Sequence, residues 1–435
     1  MNAMGMVRSV SVEYSTGTNR EKLEGSDMTG PTIGLIMSGG GARAAYQVGV
    51  LRAVAHMLPR RARNPFGIIC GTSAGSINAA SLASNADRFE RAVSRLTRTW
   101  GNLHIGHVYR ANLRGAVFGL IRGVGGFVSA GLRASPGSFL DWEPLTNLLG
   151  QMIDFARIRR TIAAGHVNAV CITASSYTSG DSISFFQDNG SCEPWRRARR
   201  VGRSAEIDVA HVLASCALPF AFPVVRIDGE HFGDGSMHQL APISAALHLG
   251  AQRVLVIGVG STSPGERQAQ DPGASPSFAQ IAGHLLDAIF VDTLDMDLER
   301  LQRVNRTLEF IPEELDGRQK AGLRIVETLV IRPSEPIAEI AAAHADELPR
   351  LMRWMMSRAG VLEPNGARVL SYLLFERGYC RHLMRLGFSD AMAQRGRILN
   401  FLGYGADSAQ DSTLVTLCRS PRAAARLTAS MSRAL

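Results

Sequence analysis

Two apolar segments near the start of the chain, each followed by a glycine-containing turn and a helical pattern, constrain its fold most strongly. Residues 32–38 (TIGLIMS) end in three consecutive glycines, and the residues after them carry apolar side chains at intervals near 3.6. Residues 66–70 (FGIIC) lead into the turn GTSAG and a second helical pattern rich in small residues. Strands that alternate with helices in this way predict an α/β fold with parallel central strands.

The later chain continues this pattern and then changes in composition. Strands are predicted within residues 167–186, in a hairpin around Asp228–Gly229 and at residues 253–260. A stretch rich in Ser, Pro, Gly and charged residues then predicts a linker or surface loop. The predicted organisation is a flexible leader at 1–29, an α/β core at 30–262, a linker at 263–276 and a mostly helical region at 277–435, whose segment 327–334 could complete the sheet.

The composition excludes several classes of protein. With 46% hydrophobic and 20% charged residues, the chain is typical of globular proteins and unlike disordered ones. No run reaches about 20 apolar residues, so no membrane-spanning helix is predicted. The six cysteines form no C-x-x-C pair and show no zinc-ligand spacing. This pattern predicts buried free thiols in a reducing compartment, a cytoplasmic location, and neither a metal nor a cofactor.

The chain is basic, with a formal net charge of +9, and nearly all of its positive charge is arginine. Guanidinium groups match phosphate oxygens. The densest basic run, residues 195–203, has no recognised nucleic-acid motif, so we expect a solvated face or phosphate contact and no nucleic-acid partner. Residues 110–140 mix apolar residues, glycines and spaced arginines, which predicts either a mobile flap at an anionic membrane surface or a core-packed helical region.

The turn GTSAG has the G-x-S-x-G pattern of a nucleophile elbow. In such a turn Ser73 stands clear of the backbone, and Gly71 and Gly75 are needed because side chains there would collide with neighbouring backbone. The N-terminus of the following helix adds partial positive charge near the reacting oxygen. Because the motif is short, a plain β–α turn with a small N-cap residue is the alternative.

The glycine run has three interpretations. The bare N–H groups of Gly39, Gly40 and Gly41 can form an oxyanion hole, with Arg43 supporting the same charge. The pattern G-x-G-x-x-A also matches a loose dinucleotide fingerprint. That fingerprint requires an acidic residue about 20 positions later, and none occurs between residues 27 and 87. A close-packing glycine turn is the third interpretation.

Two arrangements can supply the base for Ser73. The usual order after an elbow is Ser, then Asp or Glu, then His, and His231 and His238 flank Asp234. Alternatively, Asp234 acts alone, because a carboxylate held within hydrogen-bond reach of the hydroxyl in a desolvated pocket can accept its proton. An ordinary Asp-Gly turn at Asp234–Gly235 is the structural alternative.

Taken together, these motifs resemble the patatin-like phospholipases, and the chain looks like a bacterial member. GGGAR, GTSAG and the DG that follows ASCALPFAFPVV occur in the order of that family, and the resemblance covers residues 32–260. It implies a three-layer α/β/α sandwich around a mainly parallel sheet. It also implies a serine esterase of the phospholipase A or lysophospholipase type, which cleaves phospholipids or other lipid esters and works at the inner face of the membrane or in the cytoplasm.

The resemblance further implies roles for individual residues. Ser73 would attack the ester carbonyl, and Asp234 would take its proton and later activate water, without a histidine. The family's anion-binding loop falls on Gly39, Gly40, Gly41, Ala42 and Arg43, and Gly235 supports the dyad. A Ser–His–Asp esterase and a catalytically inactive lipid-associated scaffold are the alternatives.

This sequence departs from the family pattern at two positions. Ala44 stands where the glycine loop more often has a further glycine, and Ser236 stands where the family more often has Gly or Ala. Neither departure removes a catalytic group, so both bear on substrate fit more than on activity.

Overall fold

A ten-stranded mixed sheet forms the centre of the molecule. The computed structural model describes residues 31–111, 140–141, 143–219, 221–239, 241–261, 277–310, 323–363 and 366–405. The predicted leader, the predicted linker and nearly all of the predicted flap lie outside these residues. The strands of the main sheet are β1 (Ile33–Met37), β2 (Ile68–Thr72), β5 (Ala169–Ser176), β6 (Ser182–Asp188), β7 (Trp195–Arg197), β8 (Arg200–Ser204), β9 (Val225–Ile227), β10 (Glu230–Asp234), β11 (Arg253–Ile257) and β12 (Glu327–Ile331), and β3 (Arg110–Ala111) and β4 (Leu140–Asp141) form a separate pair.

The main sheet has the order β12-β11-β1-β2-β5-β6-β8-β7, and β10 and β9 extend from β5. The first five strands of this order are mutually parallel, whereas β6, β7, β9 and β10 make antiparallel pairs. Every residue of β1, β2 and β5 is buried, as expected for parallel strands covered on both faces. The structure therefore confirms the predicted mainly parallel α/β fold.

Helices cover both faces of this sheet. The helices are α1 (Ala45–Met57), α2 (Ala74–Ser84), α3 (Phe89–Gly101), α4 (Ile105–Val108), α5 (Glu143–Met152), α6 (Phe155–Ala163), α7 (Val209–Cys216), α8 (Ser244–His248), α9 (Phe278–Asp287), α10 (Thr293–Glu309), α11 (Ile337–Ala343), α12 (Arg350–Arg358), α13 (Ala367–Leu373), α14 (Arg377–Ala393) and α15 (Arg395–Phe401). A π-helical segment, Ala288–Asp292, joins α9 to α10.

The alternation of side chains along the strands divides the core into two layers. Leu35 and Met37 of β1 pack with α1 and α2 on one face, and Ile36 packs with α8 and α10 on the other. The second predicted strand begins two residues later than expected and runs to Thr72, so it ends directly at Ser73. The predicted hairpin around Asp228–Gly229 is present as β9 and β10.

Strand β5 has different neighbours along its length, and this difference builds the site. Its first part pairs in parallel with β2, up to Thr72 opposite Thr173. Its last residues pair with β10 in the antiparallel sense, and Asp234 lies opposite Ala174. The ends of β2 and β10 therefore meet on the same side of β5, which brings residues far apart in sequence together.

The region after residue 277 packs directly on this core. Strand β12 pairs in parallel with β11 and extends the sheet. Helix α14 lies so close to α1 that a side chain at Gly49 or Gly387 would collide with the backbone of the other helix. The Tyr46 hydroxyl donates a 3.0 Å hydrogen bond to Asp390 across the same contact. The predicted boundaries between core, linker and C-terminal region stay predictions.

The described cysteines and the basic run at residues 195–203 lie where the sequence predicted them. The five described cysteines are free, and Cys192 alone among these five is not fully buried. The basic run at 195–203 forms the β7–β8 hairpin at the sheet edge, with Arg196 and Arg197 exposed. No helix within the described ranges combines the length and the apolar character that crossing a membrane requires.

Candidate active site

Ser73 occupies a strained turn between β2 and α2. Its backbone has φ 52° and ψ −132°, a conformation that residues with a side chain rarely adopt and that persists only where the surroundings enforce it. The Ser73 N–H donates to Ser215 Oγ at 2.8 Å, and the Ser73 carbonyl accepts hydrogen bonds from the backbone N–H and hydroxyl of Ser76 at 2.8 and 2.6 Å. These bonds hold the turn in the geometry of a nucleophile elbow.

The glycines of the turn are required by close packing. A Cβ at Gly71 would collide with the Gly75 carbonyl and with the Ala79 side chain. A Cβ at Gly75 would collide with the carbonyl oxygens at the end of β1. The elbow is therefore pressed against β1 and against the first turn of α2, and neither position has room for a methyl group.

Asp234 ends β10 directly beside Ser73. The Ser73 hydroxyl donates a 2.6 Å hydrogen bond to Asp234 Oδ2, and the Ser236 backbone N–H donates to Oδ1 at 2.9 Å. Asp234 is only 1% exposed. Burial raises the pKa of its carboxyl group to about 6, and the hydrogen bonds from Ser73 and Ser236 limit the rise. The carboxylate is thus mostly ionised at neutral pH and has a pKa near the range in which a general base is most effective.

Gly235 allows the end of β10 to lie close to β5 and β2. A Cβ at Gly235 would collide with the carbonyl oxygen of Thr173 in β5 and lie against the methyl group of Thr72 in β2. The Asp-Gly pair therefore serves a close approach between the strand ends and is not merely a surface turn, since Asp234 and Gly235 are both buried.

The glycine loop lies along the same site. Gly41 has φ +54°, and a Cβ there would collide with the carbonyl of Tyr372. Within the part of the chain that the structure describes, the backbone N–H groups of Gly40, Gly41 and Ala42 have no hydrogen-bond acceptor. Gly41 lines the same cavity as Ser73 and Asp234. Unpaired N–H groups beside a hydroxyl nucleophile are what an oxyanion hole requires.

The two candidate histidines lie elsewhere. His231 is exposed and stands three residues before Asp234 on the same strand, so its side chain lies on the opposite face of β10. His238 is half-buried, and its backbone N–H donates to Ser175 Oγ at 3.2 Å. Among the described residues, neither imidazole makes a hydrogen bond with Ser73 or Asp234. The geometry therefore gives Ser73 an aspartate partner and no histidine partner.

A cavity with apolar walls opens from the Ser73–Asp234 pair. Its walls come from α3, α4, α5, the segment after α7 and the C-terminal region. The aliphatic and aromatic wall residues are Ile77, Trp100, Leu103, Val108, Tyr109, Leu145, Leu148, Met152, Leu218, Phe222, Phe290, Tyr372, Leu373 and Phe375. Such a lining favours a hydrocarbon chain over a polar ligand, with its reacting group held at Ser73.

Residues 35–247 match the family model described as patatin-like phospholipase, and this range contains Ser73, Asp234 and the glycine loop. Through these residues the chain belongs to the patatin-like phospholipase family. The match confirms the resemblance found in the sequence. We refer to residues 35–247 as the patatin-like core.

Individual proteins resemble this chain less extensively. A 79-residue segment is 37% identical to the lysophospholipase nte1 of Aspergillus terreus and covers 17% of this chain but only 5% of that relative. Among solved structures, VipD from Legionella pneumophila has a TM-score of 0.31 at 12% identity, with 85% of this chain and 75% of VipD covered. Human GIVD cytosolic phospholipase A2, solved with methyl γ-linolenyl fluorophosphonate, has a TM-score of 0.38 at 15% identity, with 86% and 59% covered.

Arg43 connects the glycine loop to residues outside the patatin-like core. Its guanidinium donates to Ser371 Oγ at 2.8 Å and to Asp287 at 3.3 Å, and it lies 3.8 Å from the centre of the Tyr372 ring. Arg43 is 1% exposed. Its positive charge is thus paired with a carboxylate of the C-terminal region, so Arg43 anchors the loop there, and its contribution to an oxyanion stays a prediction.

Sequence reasoning missed the residues that support the site from a distance. Ser215, which holds the Ser73 backbone, and Asp287, Phe290 and Tyr372 follow no motif. The one local signal was the segment ASCALPFAFPVV, which contains Ser215 and precedes the aspartate. For the residues of the C-terminal region, no sequence feature indicated contact with the glycine loop.

Proposed function

We propose that the protein is a serine hydrolase of lipid carboxylic esters, of the phospholipase A or lysophospholipase type, with Ser73 and Asp234 as its catalytic dyad. The observation that carries the proposal is the 2.6 Å hydrogen bond from Ser73 Oγ to Asp234 Oδ2 at the polar end of a cavity with apolar walls. Membership of the patatin-like phospholipase family supports the same reaction class.

In the first half-reaction, Ser73 Oγ attacks the ester carbonyl carbon while its proton passes to Asp234 Oδ2. The carbonyl π electrons move to oxygen, and the N–H groups of Gly40 and Gly41 stabilise the negative charge. The intermediate then collapses, the ester C–O bond breaks, and the leaving alkoxide takes the proton from Asp234. The acyl group stays on Ser73 as an ester.

In the second half-reaction, water replaces the departed alcohol. Asp234 accepts a proton from this water as the oxygen attacks the acyl-enzyme carbonyl. Collapse of the second tetrahedral intermediate breaks the bond to Ser73 Oγ, which recovers the proton from Asp234. A fatty acid leaves, and Ser73 and Asp234 return to their starting protonation states. All bonds and protons of the two half-reactions are thereby accounted for by the ester, water, Ser73 and Asp234.

The cavity supports a fatty acyl substrate. Its walls are aliphatic and aromatic, and the polar groups converge at Ser73, Asp234 and Gly41. An acyl chain that packs along the apolar walls would place its ester carbonyl at Ser73, because the polar groups of the cavity lie at that end. The lysophospholipase name of the Aspergillus terreus relative agrees with such a substrate.

The test is fatty-acid release from mixed phospholipid vesicles by the wild type, Ser73→Ala and Ser81→Ala. Ser81 is a matched control, because it is also a buried serine and lies further along α2. We expect release by the wild type and by Ser81→Ala, and none by Ser73→Ala. Equal release by wild type and Ser73→Ala would overturn the proposal.

We also propose transient contact with anionic membrane surfaces, at the inner face of the membrane, through the basic segment that the sequence singles out at residues 110–140. The support is the spacing of Arg114, Arg122 and Arg133 among apolar residues and glycines. Changing the three arginines to Ser should weaken co-sedimentation with anionic vesicles and leave neutral vesicles unaffected. Unchanged binding to anionic vesicles would remove this part of the proposal.

A further inference from the structure

Ser236 carries a buried hydroxyl with no hydrogen-bond partner. In the described part of the chain, only two side-chain oxygens have this property, those of Ser81 and Ser236. Ser236 is 4% exposed and stands two residues after Asp234. Because an unpaired buried hydroxyl destabilises a fold, one that lies beside a catalytic carboxylate calls for a functional explanation.

The surroundings of Ser236 place its hydroxyl between the dyad and the glycine loop. Its backbone N–H donates to Asp234 Oδ1 at 2.9 Å, which fixes Ser236 next to the carboxylate. A Cβ built on Gly39 would lie 2.5 Å from Ser236 Oγ and 2.7 Å from the Phe290 ring, so the oxygen faces the loop in a tightly packed slot. Rotation of the Ser236 side chain is the motion by which its hydroxyl would change direction.

The hydroxyl already influences Asp234 electrostatically. It is among the groups that lower the Asp234 pKa, which burial raises, although its oxygen is outside hydrogen-bonding geometry. Among the described residues, two other titratable groups interact with Asp234, the Cys216 thiol from the end of α7 and the Tyr177 phenol after β5. Burial, with the Asp234 charge adding to it, raises the pKa of both, so both are neutral in the working range and leave Ser236 as the adjustable neighbour.

We propose that Ser236 is a positioning residue whose hydroxyl turns toward ionised Asp234 to donate a hydrogen bond, and turns away when Asp234 receives the proton of Ser73. This inference rests on the proposed function of the dyad. No proton moves between Ser236 and Asp234, so the balance of the reaction is unchanged. The consequence is that Ser236 extends the activity of the dyad to lower pH, because the donated bond favours the ionised base.

The test compares the pH dependence of kcat/KM for the wild type, Ser236→Ala and Ser236→Gly on a water-soluble short-chain ester. In both Ser236 variants we expect the acid limb of the kcat/KM profile to move to higher pH by about one unit. Below the midpoint, kcat/KM should then be about tenfold lower than in the wild type, and at higher pH it should reach a plateau near the wild-type value. Ser81→Ala, which removes the other unpaired hydroxyl, should leave the profile unchanged. An unmoved midpoint, or an equal loss at every pH, would overturn the inference.

A second measurement does not depend on turnover. The titration of the Asp234 carboxyl carbon, followed by NMR in protein labelled at aspartate, should move upward in Ser236→Ala and stay in place in Ser81→Ala. If the wild type and Ser73→Ala released fatty acid equally, the proposed function would fail while this titration still tested Ser236. Thermal unfolding of Ser236→Ala, measured below pH 5 where Asp234 is protonated, should match or exceed that of the wild type, because no hydrogen bond to Asp234 is lost there. Destabilisation would indicate a packing role.

Discussion

Two carboxylates lie near the glycine loop, and they differ in their partners. Asp234, in the patatin-like core, is 1% exposed and accepts hydrogen bonds from the Ser73 hydroxyl and the Ser236 N–H, both uncharged donors. Asp287, outside the patatin-like core, lies 3.3 Å from the Arg43 guanidinium and 3.6 Å from that of Arg368. A buried carboxylate whose hydrogen-bond donors are neutral can exchange a proton near neutral pH, as the raised pKa of Asp234 indicates. Asp287 instead forms ion pairs with two guanidinium groups.

Under the proposed function, these two carboxylates separate the region that would carry out the reaction from the region that holds the glycine loop in place. Asp234 and Ser73 come from strand ends of the patatin-like core, where a raised pKa suits a base. Asp287 comes from the helix that continues into the π-helical segment, whose Phe290 lines the cavity. In the proposed mechanism, the C-terminal region therefore lines the site and anchors Arg43, and the reacting groups come from the patatin-like core.

The largest expected effect concerns the dyad carboxylate. Asp234→Asn keeps the shape of the side chain but cannot accept the Ser73 proton, so kcat on phospholipid vesicles should fall by about 10²–10⁴-fold. Because an asparagine oxygen can still accept the hydrogen bond from Ser73, the fold should be retained. A kcat within tenfold of the wild type would show that Asp234 is not the general base and would contradict the difference drawn between Asp234 and Asp287.

The next largest effect concerns the ion pair between Arg43 and Asp287, which anchors the glycine loop. Asp287→Ala leaves the buried Arg43 without its carboxylate, and we expect a loss of roughly 2–4 kcal/mol in the free energy of unfolding together with reduced kcat. Asp87→Ala is the matched control, because Asp87 pairs with Arg157 at 2.7 Å but in a more exposed setting and away from the loop. Asp87→Ala should lower the free energy of unfolding by no more than about 1 kcal/mol and leave kcat unchanged. Equal costs for the two variants would contradict the anchor role.

The stability of the protein should depend on pH through Asp234. Its pKa is about 6 in the folded protein against a reference of 3.8, so the folded state binds the proton more tightly than the unfolded chain. Stability contributed by the protonated form is therefore full below pH 4 and is lost as the pH rises toward 6. Measured by urea unfolding, the free energy of unfolding of Asp234→Asn should exceed that of the wild type by up to about 3 kcal/mol at pH 8. This difference should shrink below pH 4. A difference independent of pH would exclude this origin.

The smallest expected effect concerns the histidines. His231→Ala and His238→Ala should each keep kcat within about twofold of the wild type, because neither ring contacts the dyad. A loss by either variant comparable to that of Asp234→Asn would favour a Ser–His–Asp triad and would require the segment that carries that histidine to rearrange on substrate binding.

The sequence predicted those parts of the site that depend on local geometry. The elbow at Ser73 and the turn at Gly235 have short patterns, because a strand that ends in a tight turn needs glycine at particular positions. The choice between Asp234 alone and a triad depended on which face of β10 Asp234 and His231 occupy and on where the chain after β10 places His238, and neither has a local sequence pattern. The partners of Arg43 lie more than 200 residues away, and an ion pair across that separation leaves no local pattern.

The most direct test of the central claim is covalent labelling of Ser73 with an alkyl fluorophosphonate, read by mass spectrometry of the peptide that contains GTSAG. A Ser73–Asp234 dyad predicts stoichiometric labelling at Ser73 in the wild type and in His231→Ala, and labelling slowed by at least about 10²-fold in Asp234→Asn. Labelling that proceeds equally fast in Asp234→Asn, or that falls on another serine, would contradict a Ser73–Asp234 dyad.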